Sequence, residues 1–398
     1  MPTNSGDAVS ASTRRPEGIL APWKRADVSQ VEILSASRAL PQIREQWSAL
    51  FESLSTRHYA QSPGWFEQQL LWLDRDPQRV WVAIVRDAGA LLAVVPVRHC
   101  PRAYGPFRLA RWSLLWHPHA TVSPFVLAPQ ASLEGVLFDV VQALCRQPGG
   151  CDQLLIPSLS GEVPGGLSQG LLHSNLAWVD ELGPTMGFDT TSPDMWLAGC
   201  TPHFRRNLAR QRRRLAALGR VEMELVRGPA ARGAAFDTFL DLEVSGWKGA
   251  QGTGSAILLH PRLRQFYQGL IDRLQGRQDV CIALLRLDGR AVAAHFCVRT
   301  DATIALLKIA YDESLRQAAP GNVLLAMQLE SCADDAEISR LSLVTGPSWA
   351  ERWRPLRTPL YRVAVFRPGW RGRCLRVLVQ AKRAFTRRID ARRRSREA

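Results

Sequence analysis

Residues 80–98 read VWVAIVRDAGALLAVVPVR, and residues 280–298 read VCIALLRLDGRAVAAHFCV. Aligned without a gap at an offset of 200, they share Val80/Val280, Ala83/Ala283, Arg86/Arg286, Gly89/Gly289 and Ala93/Ala293. Each is an apolar run, a tight turn at the glycine and a second apolar run, which is the pattern of a β-hairpin. A chain that carries one hairpin twice is expected to be two copies of one plan.

The flanks repeat as well. In the second half, Val221–Val226 alternates like a strand. Ala231–Val244 and Pro261–Leu274 carry apolar stripes at helical spacing. After the hairpin come a strand at Thr303–Ile309, a helix from Pro320 to Ala333, and strands at Ile338–Val344 and Leu360–Phe366. The first half opens the same way, with a strand at Val31–Leu34 and helices at Pro41–Leu54 and Pro63–Leu73. Behind its hairpin we expect a strand at Val122–Leu127, a helix at Leu133–Cys145 and a strand at Gln153–Ile156. The expected fold is α/β with a mixed sheet: a leader (1–26), an N-terminal domain (27–190), an Arg-rich linker helix (191–219), a C-terminal domain (220–367) and a basic amphipathic tail (368–398).

Composition narrows the rest. The 398 residues are 46% hydrophobic and 22% charged, as in ordinary globular proteins. The net charge of +15 is concentrated in two places. Cys200–Arg220 holds seven Arg and no carboxylate, and Arg367–Ala398 holds eleven Arg and one Lys against Asp390 and Glu397. These segments together exceed the whole net charge, so the remaining body is close to neutral. The longest apolar run, Leu91–Val97, is far short of the roughly 20 residues that span a bilayer. The polar N-terminus has no apolar core of a signal peptide, which leads us to expect a cytoplasmic protein. Eight Cys without a C-x-x-C pair are expected to be reduced, and no zinc, P-loop or serine-elbow spacing is present.

The element order and several short motifs resemble the GNAT acyltransferases, within them the CelD-type acetyltransferases, which are distant relatives of the FemAB peptidyltransferases. The residues that carry this are Trp47-x-x-Leu50, Ser62-Pro63-x-Trp65, Phe204-Arg-Arg-Asn-Leu208, Trp247-Lys248-Gly249 with Gly252-Thr253, Ala293-Ala-His-Phe296, Tyr311-Asp312 and Pro320-Gly321-x-x-Leu324-Leu325. The likeness runs over residues 31–366. Gly346 and Trp353 fit the family's pattern after the Pro-Gly helix, but Ala350 and Glu351 stand where a Tyr-Lys pair is expected.

The resemblance implies tandem GNAT-like domains and acyl transfer from acetyl-CoA or another acyl-CoA to an amine, with no metal. It implies cell-envelope or exopolysaccharide substrates such as an amino sugar. The donor would lie along the strand edge at Ile309 and Ala310. Its pyrophosphate would sit on Arg316, Gln317, Ala318, Ala319, Gly321 and Asn322, a loose match to the family's phosphate loop at a helix N-terminus. Such chemistry needs a proton acceptor, and three are open: His295 on one face of a strand, Asp312 at a strand end and Glu243 late on a helix. Tyr311 is placed to position substrate or protonate the leaving thiolate. Trp247 and Lys248, in the Gly-rich stretch GWKGAQGTG, are candidates for binding the acceptor through a flexible loop. Two alternatives remain: FemAB-like aminoacyl transfer from tRNA, served by the Arg-rich helix, and a GNAT fold that binds without catalysis. Leu375, Leu378, Phe385 and Ile389 on one side of the tail, with Trp370 at its start, suit peripheral attachment of residues 370–398 to an anionic inner membrane face.

Overall fold

The computed structural model describes residues 30–104, 107–161, 177–192 and 195–381. The expected leader and the tail beyond residue 381, with Phe385 and Ile389, lie outside the described residues. The first half supplies β1 (Gln30–Ser35), α1 (Ala36–Ser53), α2 (Pro63–Gln68), β2 (Val80–Asp87), β3 (Ala90–His99), the ribbon β4 (Arg102–Tyr104) and β5 (Phe107–Leu109), β6 (Arg111–Leu114), β7 (Val126–Leu127), α3 (Leu133–Cys145), β8 (Gln153–Ser160) and β9 (Ala177–Asp189). The Arg-rich helix α4 (Pro202–Ala216) follows. The second half supplies β10 (Val221–Arg227), α5 (Ala234–Ser245), α6 (Pro261–Arg273), β11 (Gln278–Leu287), β12 (Arg290–Thr300), β13 (Thr303–Tyr311), α7 (Pro320–Asp334), β14 (Arg340–Ser342) and β15 (Leu356–Phe366). A last helix, α8, covers 370–381.

The two hairpins agree in detail. Each turn has two residues at positive φ, Ala88 and Gly89 at 45° and 84°, Asp288 and Gly289 at 48° and 81°, as a type I′ turn requires. Each ladder slips by one residue at the same place, between Val85 and Arg86 and between Leu285 and Arg286. In both, the arginine after the slip folds back on the turn, Arg86 to the Gly89 carbonyl at 3.3 Å and Arg286 to the Gly289 carbonyl at 2.9 Å.

All the main strands join one mixed sheet in the order β1-β2-β3-β6-β8-β15-β9-β14-β13-β12-β11-β10, with β7 pairing β3 to the side. The centre of that order is an exchange. The last strand of the second half, β15, lies beside β8, whereas the last strand of the first half, β9, lies beside β14, and the two exchanged strands pair antiparallel. The sheet therefore does not divide at residue 190.

Several motifs act as packing devices. Ser62 caps α2 by accepting from the Trp65 amide, and Pro63 takes the first helical position, where no N–H is needed. Trp65 then reaches the second half and stacks edge-on against Phe266 at 5.1 Å. Trp47 is fully buried and donates to the Gln61 carbonyl at 2.9 Å. On α4, Phe204, Leu208 and Leu215 are buried, Phe204 lying 4.9 Å from Trp353. Leu218, expected in the same stripe, is 54% exposed because the helix has ended before it.

Other expectations shift. α1 begins at Ala36, ahead of the expected start at Pro41, which falls at the sixth helical position and leaves the Ser37 carbonyl without its intrahelical N–H. Of Val122–Leu127 only two residues pair, although all are buried. On α8, Val379 and Leu375 pack on Ala364 and Phe366, but Leu378 and Trp370 are 60% and 76% exposed, so the expected single apolar side is divided. Among the described residues no helix is long and apolar enough to cross a membrane.

Candidate functional site

β13 pairs with β12 along its length but with β14 only from Thr303 to Ala305. Beyond that point its outer edge leaves the sheet ladder. The ladder to β12 also slips there: Phe296 faces Lys308 and Cys297 faces Leu306, so Leu307 is the extra residue of a β-bulge. A bulge bends the strand and re-aims its side chains, which keeps β13 and β14 apart. A cleft of about 330 Å³ opens in the gap, reaching the start of α7.

Most of the expected donor-site residues line it. His295, Ile309, Ala310 and Tyr311 come from β12 and β13, Arg316, Ala319, Gly321 and Asn322 from the loop and helix start, and Trp247 from the far rim. Gln317 and Ala318 line a neighbouring cavity of about 890 Å³, together with Arg316 and Arg214 of α4. Leu306, Leu325 and Trp349 complete the first cleft and were not foreseen. Trp349 comes from the segment of the missing Tyr-Lys pair; there Ala350 is fully buried, while Glu351 pairs with Arg357.

Ala319, at the N-cap, is left-handed at φ 51°, ψ 57°, a conformation that favours glycine, and its side chain offers no cap. Among the described residues the Gln317 and Gly321 N–H groups meet no carbonyl. These amides lie at a helix N-terminus, the positive end of the helix dipole, beside two exposed arginines, Arg214 and Arg316, that have no carboxylate partner among the described residues.

His295 is 3% exposed and lines the cleft. Its Nδ1 is 2.7 Å from Oε1 of Gln328 on α7, whose Nε2 in turn donates to the Cys297 sulfur at 3.4 Å. That orientation makes Nδ1 the protonated nitrogen and leaves the lone pair on Nε2, facing the cleft. Burial pushes the imidazole down to about 4, against the opposing pull of the Gln328 bond. The ring is therefore neutral throughout the physiological range. Gln328 has no signal in the sequence beyond its helical spacing from Leu324 and Leu325.

The remaining candidates are placed otherwise. Asp312 does not line the cleft: it bonds Arg290 at 2.7 Å and caps the turn at Ser314. Burial would raise its pKa, but the Ser314 and Arg290 bonds outweigh this and hold the carboxyl below its usual range. Glu243 is buried, with Oε1 on Lys248 at 2.8 Å and Oε2 accepting the Ile257 amide at 2.8 Å. Lys248 spends its second bond on the Ile309 carbonyl at 2.7 Å and lies 5.4 Å from the Trp247 ring. The Gly-rich loop that carries it is tightly wound rather than open. A Cβ on Gly249 would stand 2.0 Å from the Val244 carbonyl oxygen, and one on Gly252 would stand 1.9 Å from that of Trp247.

This arrangement can be set beside known proteins. Residues 202–355 match the family described as an acetyltransferase (GNAT) domain. The second half has the GNAT acyltransferase fold. Among solved structures, a conserved protein of unknown function from Bacteroides thetaiotaomicron superimposes with a TM-score of 0.52 at 12% identity, over 84% of this chain and 100% of that one. FemX superimposes with a TM-score of 0.51 at 11% identity, over 81% and 96%. At these identities the likeness concerns the fold. In sequence, no curated protein matches the chain.

Proposed function

We propose that the protein is an acyl-CoA-dependent N-acyltransferase whose donor site is the cleft between β13 and β14. The observation that carries this is the conjunction of an opened strand edge, an uncapped helix start and a neutral imidazole on one cleft. The open edge of β13 suits the amide-bearing pantetheine arm, and the free Gln317 and Gly321 amides with Arg316 and Arg214 suit its phosphates. The thioester supplies the activated acyl carbon. As the amine nitrogen bonds to that carbon and the carbon–sulfur bond breaks, His295 Nε2 takes the amine's proton, and Tyr311 at the rim is placed to protonate the departing sulfur. The CelD-type resemblance makes acetyl-CoA the first donor to try and an amino sugar of envelope or exopolysaccharide assembly the first acceptor.

Thermal unfolding with acetyl-CoA and longer acyl-CoAs tests the donor. A Tm rise that Arg316→Glu abolishes is expected; no shift with any thioester at millimolar concentration would overturn the reading. One observation favours a second reading, aminoacyl transfer from tRNA. Arg205, Arg206, Arg213 and Arg214 form an exposed face of α4 without a carboxylate partner among the described residues. Saturable tRNA binding with a steep salt slope, and no response to acyl-CoA, would establish that reading instead.

A further inference from the structure

The sheet has a second face at the same bulge. Because Leu307 is extra, Lys308 points away from His295, toward α5 and α6, with Nζ 5.9 Å from the centre of the Tyr267 ring. It is half-buried. Among the described residues its ammonium has no carboxylate, carbonyl or hydroxyl partner. The groups around it do not provide one. Glu243 of α5 has committed both oxygens, Lys248 adds a like charge, and Tyr267 of α6 shares its hydroxyl with His119 Nδ1 at 2.9 Å. From the loop between β6 and β7, His117 and His119 stack at 5.0 Å, and burial holds them down to about 4 and about 3, so both are neutral. A half-buried ammonium without a counter-charge is costly. The strain shows in its titration: burial pushes Lys308 down to about 8, with Lys248 adding to the effect and Glu243 opposing it.

Thr303 and Ala305, on the same face of β13, line a cavity of about 100 Å³ between the two halves. Thr56, Ser160, Thr185 and Ser342 bring hydroxyls to its walls. Lys308 stands beyond the bulge from that cavity, on the strand whose other face, at Ile309 and Tyr311, lines the proposed donor cleft.

We infer that Lys308 is the anion-binding residue of the acceptor site, so that the acylated amine carries a carboxylate or a phosphate. The inference rests on the acyltransferase reading for the word acceptor, but not for the anion site itself. Lys248, the sequence's candidate for binding the acceptor, already has its charge met by Glu243 and a second bond on the Ile309 carbonyl.

The test has two parts. Trace labelling of the full chain with acetic anhydride at pH 8, read by mass spectrometry, should find Lys308 among the fastest-reacting lysines. Inorganic phosphate or succinate should slow it at least threefold relative to chloride at equal ionic strength. Protection by phosphate alone or by succinate alone names the source of the anion, and protection by neither overturns the inference whether or not the protein turns over. In the second part, kcat/KM is compared for glucosamine 6-phosphate against glucosamine, and for serine against serinamide, with acetyl-CoA. The anionic member of at least one pair should be preferred tenfold or more, and Lys308→Met should cut that ratio at least tenfold. An unchanged ratio in the variant overturns the inference. Protection without acylation of any of the four amines would leave the anion site standing and count against the acyltransferase reading.

Discussion

The two halves differ most where they ought to be most alike. In the second half, β13 is one strand, kinked at Leu307, and it pairs with β12 on both sides of the kink. In the first half the same pairing is divided between two strands: β6 meets Val97–His99 and β7 meets Ala93 and Val94, the positions that match Cys297–Arg299 and Ala293 and Ala294 at the offset of 200. Residues 115–125 occupy the place of the kink. They carry His117, His119 and Ala120 across to Tyr267 and the core of the second half. Val95 stands where His295 is, and Val141 holds on α3 the place that Gln328 holds on α7. Ser132 caps α3 where Ala319 leaves α7 open. One copy keeps an open strand edge, a histidine over it and an uncapped helix start, and the other has converted the same three features into a wall for its partner.

That contrast can be broken in order of expected size. Ending the chain at residue 355 removes β15 and leaves β8 and β9 without the strand between them. The product should show no cooperative unfolding by calorimetry, and a well-folded product would mean that the halves are separable after all. His295→Val gives the second half the first half's residue and should lower kcat about 10²–10⁴-fold. It also leaves the Gln328 oxygen unpaired, at a cost of about 1–3 kcal/mol. Adding Gln328→Val should recover much of that stability and none of the rate; recovery of both would remove His295 from the chemistry.

A pH series comes next. His58 and His119 are pushed by burial to about 3, and His117 and His295 to about 4. The folded state refuses protons that the unfolded chain binds near pH 6.5, so stability is full above that pH and falls as pH drops below it, by roughly 1–2 kcal/mol per histidine at pH 5. Tm measured from pH 7.5 to 5 checks this, and a flat profile would show that the histidines take up protons within the folded protein. The helix starts should show the smallest and opposite effects. Ser132→Ala should cost about 1 kcal/mol by loss of its cap, whereas Ala319→Gly should gain up to about 1 kcal/mol by relieving a left-handed alanine. Chemical denaturation reads both, and equal signs would erase the distinction between the two helices.

The hairpins were legible because their code is local: a glycine at positive φ, apolar runs and an arginine that clasps the turn. The cleft was legible in part because strand alternation puts His295 opposite Phe296, and because Pro320 marks a helix start. What escaped notice depends on distance. β9 spans Ala177–Asp189 with Gly183 and Pro184 inside it, residues that argue against a strand, and its ladder with β15 slips between Thr358 and Leu360 to accommodate them. Residues 122–127 look like a strand because they are buried, and burial rather than pairing is what apolar residues record. Lys248 and Lys308 are both lysines near the site; only the contacts made by folding decide that one is paired and that the other, among the described residues, has no hydrogen-bond or ion-pair partner.

The exchanged strands also set a timetable for synthesis. β8 can pair with β6 at once, but its other edge is filled only when residues near Leu360 arrive, since Ser160 pairs with Leu360. A nascent chain therefore holds the first half with an unsatisfied edge while some two hundred further residues are made. Long-range pairing of this kind slows folding and exposes a sticky strand. The two halves should therefore fold as one unit, and the chain should lean on chaperones in the interval.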